Sequence, residues 1–292
     1  MDKFDLYRDI ASRTGGDIYV GVVGPVRTGK STLIKQVMQR LVVDGIENPD
    51  ERSRAIDEIP QSADGKTIMT TQPRFVPNEA VRVPISDNLA VNMRLIDCVG
   101  YLVDGALGAE EDGKERMVST PWSEEQIPFS KAAEIGTQKV IKEHSTIALA
   151  VTTDGSFSNI SREQYVEAEE RVIRELKECG KPFAILLNVK DVNAGNVHEL
   201  KEELSAKYDA PVIVKNAVSL SDDDITEILE SILLEFAVNI IDFDLPRWVR
   251  ARPADNEIVR ELIERVRAVG NQPGRRQGQN CSRAIAKRRS VL

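Results

Sequence analysis

The run Gly24-Pro25-Val26-Arg27-Thr28-Gly29-Lys30-Ser31 constrains this 292-residue chain more than any other stretch. It matches G-x-x-x-x-G-K-[ST], and it stands between a β-branched run, IYVGVVG from Ile18, and the helical stretch KSTLIKQVMQRLV. Strand, tight loop and helix in that order are the context a phosphate-binding loop requires. Glycine lets the backbone curl so that its N–H groups point inward at a phosphate, and the following helix adds the positive end of its dipole. Lys30 is placed to neutralise β- and γ-phosphates, Ser31 to put its hydroxyl on Mg²⁺, and Thr32 to donate to an α-phosphate. Gly24, Arg27, Thr28 and Gly29 complete the candidate nucleotide cradle.

Asp97 closes the apolar run MRLIDCVG three residues before Gly100, which gives D-x-x-G on the strand that follows the loop. In P-loop NTPases the aspartate at that place serves Mg²⁺ and the glycine N–H senses the γ-phosphate. Between the two motifs lies GKTIMTTQP, where Thr70 and Thr71, with Thr67 behind them, are candidates for a threonine that couples the third phosphate to loop conformation. Tyr101 follows Gly100, where many small GTPases carry the glutamine that orients the attacking water. An aromatic ring cannot do that work, so slow turnover is expected, with a group from Thr70, Thr71, the long loops or a neighbouring subunit assisting.

Base choice stays open at this level. Guanine readers use N-K-x-D after a buried strand, and here the strand ends Asn188-Val189-Lys190-Asp191. Asn188 and Asp191 keep the spacing, but valine occupies the lysine position, so ATP and GTP are nearly even on chemistry alone.

Three further apolar runs, TIALAVT at 146–152, PFAILLNV at 182–189 and PVIVKNAV at 211–218, each lead into a helix, which predicts a mainly parallel sheet flanked by helices. One helix opens on Ser161 with Gln164 as a capping box and sets Tyr165, Ala168, Val172, Ile173 and Leu176 on a stripe. Another is capped by Ser221, and Asp222, Asp223 and Asp224 read as complements of its dipole rather than metal ligands. Its stripe is Ile225, Ile228, Leu229, Ile232, Leu233 and Phe236. Residues 44–74 read as a long exposed connection without a core element. VRVPIS at 81–86 is an edge strand because Pro84 cannot donate to a ladder, and a second long loop runs to about Phe129. The expected division is a P-loop domain over 1–240, the start of a second domain over 241–270 and a basic, disordered tail over 271–292.

Charge narrows the partners. Six of the 39 Lys and Arg residues fall after Gly270 with no acid among them, so the first 270 residues hold 33 bases against 47 acids. Such an acidic body argues against duplex binding, and no nucleic-acid partner is expected. Cys98, Cys179 and Cys281 have no C-x-x-C spacing and read as reduced, mostly buried thiols, and two histidines, His144 and His198, exclude a multi-histidine metal centre. No run is long and apolar enough to span a membrane and no leader stands at the N-terminus, so a cytoplasmic protein is expected.

Taken in order, GPVRTGKST, GKTIMTTQP, LIDCVGY, LLNVKD and FDLPRWV give residues 1 to about 268 a specific resemblance to the stage IV sporulation protein A family, the spore-coat morphogenetic ATPases of endospore-forming bacteria. The resemblance implies an α/β fold like that of the translation-factor GTPases, changed to ATP, with hydrolysis driving self-assembly on the forespore surface in the mother cell. It implies that Lys30 binds the nucleotide, that Thr70 and Thr71 are sensor threonines needed for hydrolysis, and that Asp97 serves the metal. It further implies as partners other copies of the chain, other coat morphogenetic proteins and a small amphipathic membrane-docking peptide. The family continues into a middle domain and a C-terminal region, and the change after Gly270 reads as a truncated or frameshifted end.

Three functions follow for test: an ATPase used as a one-way assembly switch, a scaffold that binds nucleotide with negligible hydrolysis, and a regulatory GTPase. Lys30 is expected in a solvent-open loop, so that its removal abolishes nucleotide binding with little cost to the fold.

Overall fold

The apolar runs pair into one six-stranded sheet. In the computed structural model, which describes residues 17–43, 49–59, 72–86, 89–106, 110–111, 114–235, 252–253 and 256–270, five strands are parallel: β1 (Asp17–Val23), β3 (Leu89–Asp97), β8 (Ile147–Thr153), β9 (Phe183–Asn188) and β10 (Val212–Lys215). The sixth, β2 (Arg74–Ser86), is antiparallel to β3 at the edge, where a proline at 84 is tolerated. Strand order is β10-β9-β8-β1-β3-β2. β8 and β9 are buried along their whole length, which explains why they read as continuous rather than alternating hydrophobic runs.

Helices flank the sheet: α1 (Lys30–Leu41), α2 (Pro49–Glu58), α3 (Phe129–Lys139), α4 (Arg162–Glu178), α5 (Gly195–Tyr208) and α6 (Asp222–Leu233). α3 runs on into a π-helical turn, Val140–His144. The capping box of α4 is present, with Ser161 N–H donating to Gln164 Oε1 at 2.9 Å, and Tyr165, Ala168, Val172, Ile173 and Leu176 are all buried. Val172, Ile173 and Leu176 each contribute about 1.5–3 kcal/mol by burial. Ser221 Oγ accepts the Asp224 N–H at 3.2 Å to cap α6, whose residues Ile225, Ile228, Leu229, Ile232 and Leu233 are buried, while Phe236 lies outside the described residues. Asp224 bonds Lys215 and Ser221, and no cluster of three metal-ligating side chains occurs among the described residues.

Three expectations need correction. The 44–74 connection is not without structure, because α2 occupies part of it. Pro49 at its first position has a preset φ and Asp50 follows it in the first turn, local terms that make a helix without a regular apolar stripe. The second long loop holds two hairpins, β4 (Glu110–Glu111) with β5 (Lys114–Glu115), and β6 (Met117–Thr120) with β7 (Ser123–Pro128). Their strands are too short and too polar for period-two reading. β2 also begins at Arg74, ahead of the expected 81.

The chain divides into two units, Met1–Leu233 and Leu234–Leu292. The second contains α7 (Glu257–Gly270), an amphipathic helix with an Arg265–Glu261 ion pair one turn apart. The 271–292 tail lies outside the described residues, and among the described residues no helix is long and apolar enough to cross a membrane.

Candidate functional site

The site forms at the C-terminal ends of β1 and β3, where parallel strands of an open sheet leave a crevice. β1 passes into the loop at Gly24, and Gly29 (φ 91°) turns the chain into α1, whose first bond runs from Leu33 N–H to Gly29 O at 2.9 Å. Glycine is required at 29 on two counts. Its φ disfavours any side chain, and a Cβ there would stand 2.4 Å from Asn188 Nδ2. Thr28 is fully buried and its hydroxyl donates to Pro25 O at 3.0 Å, tying the loop across itself.

Lys30 is not solvent-open. It is 5% exposed, and Nζ donates to Pro25 O at 2.5 Å and Gly24 O at 3.2 Å. The loop curls around the first turn of α1, which folds the ammonium back under the loop's own carbonyls. Burial pushes the Lys30 pKa down, against the pull of Cys98 and Asp97.

Ser31 sits one residue on and donates through Oγ to Asp97 Oδ2 at 2.8 Å. This bond joins residues 66 apart in sequence and depends on the β1/β3 register that sets Val22 against Asp97. The other oxygen, Asp97 Oδ1, is sealed from solvent and has no hydrogen-bond partner among the described residues. Burial raises the Asp97 pKa, opposed by the Ser31 hydroxyl and the Lys30 charge. An orphaned buried acceptor beside a serine hydroxyl is what a hard divalent cation satisfies. With no larger ligand cluster among the described residues, such an ion would take its remaining ligands from phosphate oxygens and water.

Gly100 closes the site from the other side. Its φ is 93°, and a Cβ would fall 2.1 Å from Gly24 O and 2.6 Å from Lys30 Nζ, so its backbone lies against the loop. Tyr101 continues that contact, its carbonyl accepting Val26 N–H at 2.9 Å. The Tyr101 ring turns inward, 2% exposed, with its hydroxyl donating to Glu175 Oε2 at 2.5 Å and the Arg171 guanidinium 4.2 Å from its ring centre. Burial and then the Glu175 hydrogen bond push the Tyr101 pKa far up.

Asn188 is 3% exposed at the end of β9, and both ends of its amide are engaged by backbone. Nδ2 donates to Thr28 O at 2.9 Å, and Oδ1 accepts Ala217 N–H at 2.9 Å. Asn188 thus ties the phosphate loop to the segment after β10. Asp191 is exposed, and its Oδ1 accepts Asn193 N–H at 3.0 Å in a turn. Ser31 and Thr32 are half-buried on the first turn of α1. Thr67, Thr70 and Thr71 lie outside the described residues. Cys98 is buried, with its thiol pushed up to about 11 by that burial; Cys179 is half-buried, both are free thiols, and Cys281 lies outside the described residues.

Reasoning from sequence missed the carboxylates within α4. Glu175 bonds Tyr101, Gln138 and Arg171, while Glu169 is 3% exposed and bonds Thr152, Tyr208 and Arg162. The available signal was position: Glu169 and Glu175 each stand next to a stripe residue, where an unpaired charge would be costly.

The family described as "Stage IV sporulation protein A, ATPase domain" matches residues 1–237, which is most of the chain and the whole of this site. The chain belongs to the stage IV sporulation protein A family. The stage IV sporulation protein A of Bacillus anthracis is 50% identical over 274 residues, covering 91% of this chain and 56% of its own. That of Bacillus subtilis (strain 168) is 51% identical over 274 residues, with the same coverage. That of Clostridioides difficile (strain 630) is 51% identical over 259 residues, covering 89% and 53%. The chain therefore spans little more than half the length of these relatives. A solved structure of an SsGBP variant superposes with a TM-score of 0.42 at 16% identity over 80% of this chain and 60% of its own, too loosely to add to the mostly parallel sheet seen directly.

Proposed function

We propose that this chain hydrolyses ATP with the help of Mg²⁺ and that hydrolysis drives self-assembly of a spore-coat basement layer on the forespore surface. The Ser31–Asp97 pair, with the sealed Asp97 Oδ1 beside it and Lys30 under the loop, is the observation that carries this reading. Ser31 and Asp97 would hold the cation, whose bound charge would offset charge that builds on the phosphates. Backbone N–H groups of residues 27–30 orient the phosphates, and Lys30 exchanges its carbonyl partners for phosphate oxygens. Gly100 N–H reports the third phosphate to the segment that Tyr101 anchors. Thr70 and Thr71 supply the sensor contact in the same scheme. Turnover is slow because the position after Gly100 offers no group to water.

ATP rather than GTP follows from the ATPase-domain family; Asp191 would contribute from the base side, while Asn188, with its amide engaged by Thr28 and Ala217, braces the loop. On this reading residues 1–240 form the ATPase domain, 241–270 open a middle domain, and 271–292 are a basic tail. Other copies of the chain, coat morphogenetic proteins and a small amphipathic membrane peptide are its partners. A second reading, a scaffold that binds nucleotide without useful hydrolysis, is favoured by one observation: Tyr101 is locked onto Glu175. Phosphate release by wild type against Thr70→Ala/Thr71→Ala decides between them, and equal rates favour the scaffold. Competition between ATP and GTP on the same protein tests the base, with tighter GTP binding overturning the assignment.

A further inference from the structure

We propose that Arg27 is a catalytic residue, supplying a guanidinium from within the chain to the phosphoryl group as it is transferred; the inference rests on the ATPase reading above. Its backbone carries the argument. Arg27 has φ 62°, a left-handed conformation that glycine adopts freely and that a long side chain adopts at a cost. Two residues later the same loop meets a positive φ with Gly29. At 27 the chain keeps an arginine where glycine would fit the backbone better.

Nothing in the fold repays that choice. Lys30 is tied to two carbonyls, whereas Arg27 makes no hydrogen bond or ion pair among the described residues. Its charge is felt by the buried Tyr165 hydroxyl, which is already bonded to Ser158 at 2.9 Å. Its mounting is nonetheless firm. Val26 N–H is held by Tyr101 O, and Thr28 is held through its hydroxyl by Pro25 O and through its carbonyl by Asn188. A half-buried cation on a braced loop, three residues ahead of the buried Lys30, is positioned for charge that appears only during reaction.

The step needs such a charge. A water oxygen bonds to the γ-phosphorus, the bond from that phosphorus to the β–γ bridging oxygen breaks, and the water's protons leave to phosphate and solvent, giving ADP and inorganic phosphate. Negative charge grows on the bridging oxygen, and the guanidinium offsets it while staying protonated throughout. Tyr101 leaves this role open, because its side chain is spent on Glu175.

The test uses the full chain as Arg27→Gly and Arg27→Lys. Arg27→Gly relaxes the backbone, so its melting temperature should equal or exceed wild type. Its affinity for a non-cleavable ATP analogue with Mg²⁺, by calorimetry, should stay within about threefold, while phosphate release falls roughly 100-fold or more. Retention of ADP by aluminium fluoride, a readout independent of turnover, should be lost. Arg27→Lys keeps the charge without the planar fork and should recover little of either. Wild-type rates and ADP retention in Arg27→Gly would overturn the inference, as would a loss of analogue affinity that matches the loss of rate. A wild-type protein that neither binds the analogue nor releases phosphate would instead refute the ATPase reading beneath it.

Discussion

Replacing Asn188 by alanine should reveal what holds the nucleotide cradle in shape. The amide donates to Thr28 O and accepts from Ala217 N–H, both at 2.9 Å and both out of water. Alanine leaves that carbonyl and that N–H without partners, and each buried orphan costs about 1–3 kcal/mol. The two together cost about 2–6 kcal/mol, which for a domain of this size lowers the melting temperature by roughly 5–20 °C. Asn188→Asp should do nearly as much harm, since it keeps the acceptor for Ala217 but turns a carboxylate toward the Thr28 carbonyl. Release of the Thr28–Gly29 peptide also loosens the amides that line the loop. Affinities for ATP and GTP, measured by competition against a fluorescent analogue, should therefore fall together. A residue that read the base edge would weaken one nucleotide selectively. A melting point within about 2 °C of wild type, together with a loss confined to one nucleotide, would refute the bracing role.

Gly100→Ala should be worse than its size suggests. A Cβ at φ 93°, 2.1 Å from Gly24 O, forces the segment off the loop, costing about 3–4 kcal/mol and ATP binding as well, and an unchanged melting curve would contradict it. Asp224 has its pKa held down to about 2, first by Lys215 and then by Ser221, below the ordinary 3.8. Its contribution is therefore complete above the ordinary value and disappears as pH falls toward 2. The melting-temperature gap between wild type and Asp224→Asn should be constant above pH 4 and shrink below it; a gap that ignores pH would count against the ion pair.

Much of the site was legible because its geometry is local. Gly29, Lys30 and Ser31 stand where the strand–loop–helix pattern puts them, and the positive φ at 29 is written into the residue itself. The capping box at Ser161 and the stripe of α4 were readable for the same reason, since period and turn chemistry involve neighbours a few residues apart. α2 escaped because end effects, not an apolar stripe, define it. The burial of Lys30 escaped because a loop's own carbonyls are invisible to residue type.

What sequence alone determined, then, was the order of the five parallel strands, the helices α1, α4, α5 and α6 that follow them, and the loop between β1 and α1. Only the tertiary structure decided which of them meet. Ser31 reaches Asp97 across 66 positions, Asn188 reaches Thr28 across 160, and Tyr101 spends its hydroxyl on Glu175 rather than on the site. These pairings depend on strand register and on which helix covers which strand, and both are settled by the packing of the whole sheet rather than by any local run of residues.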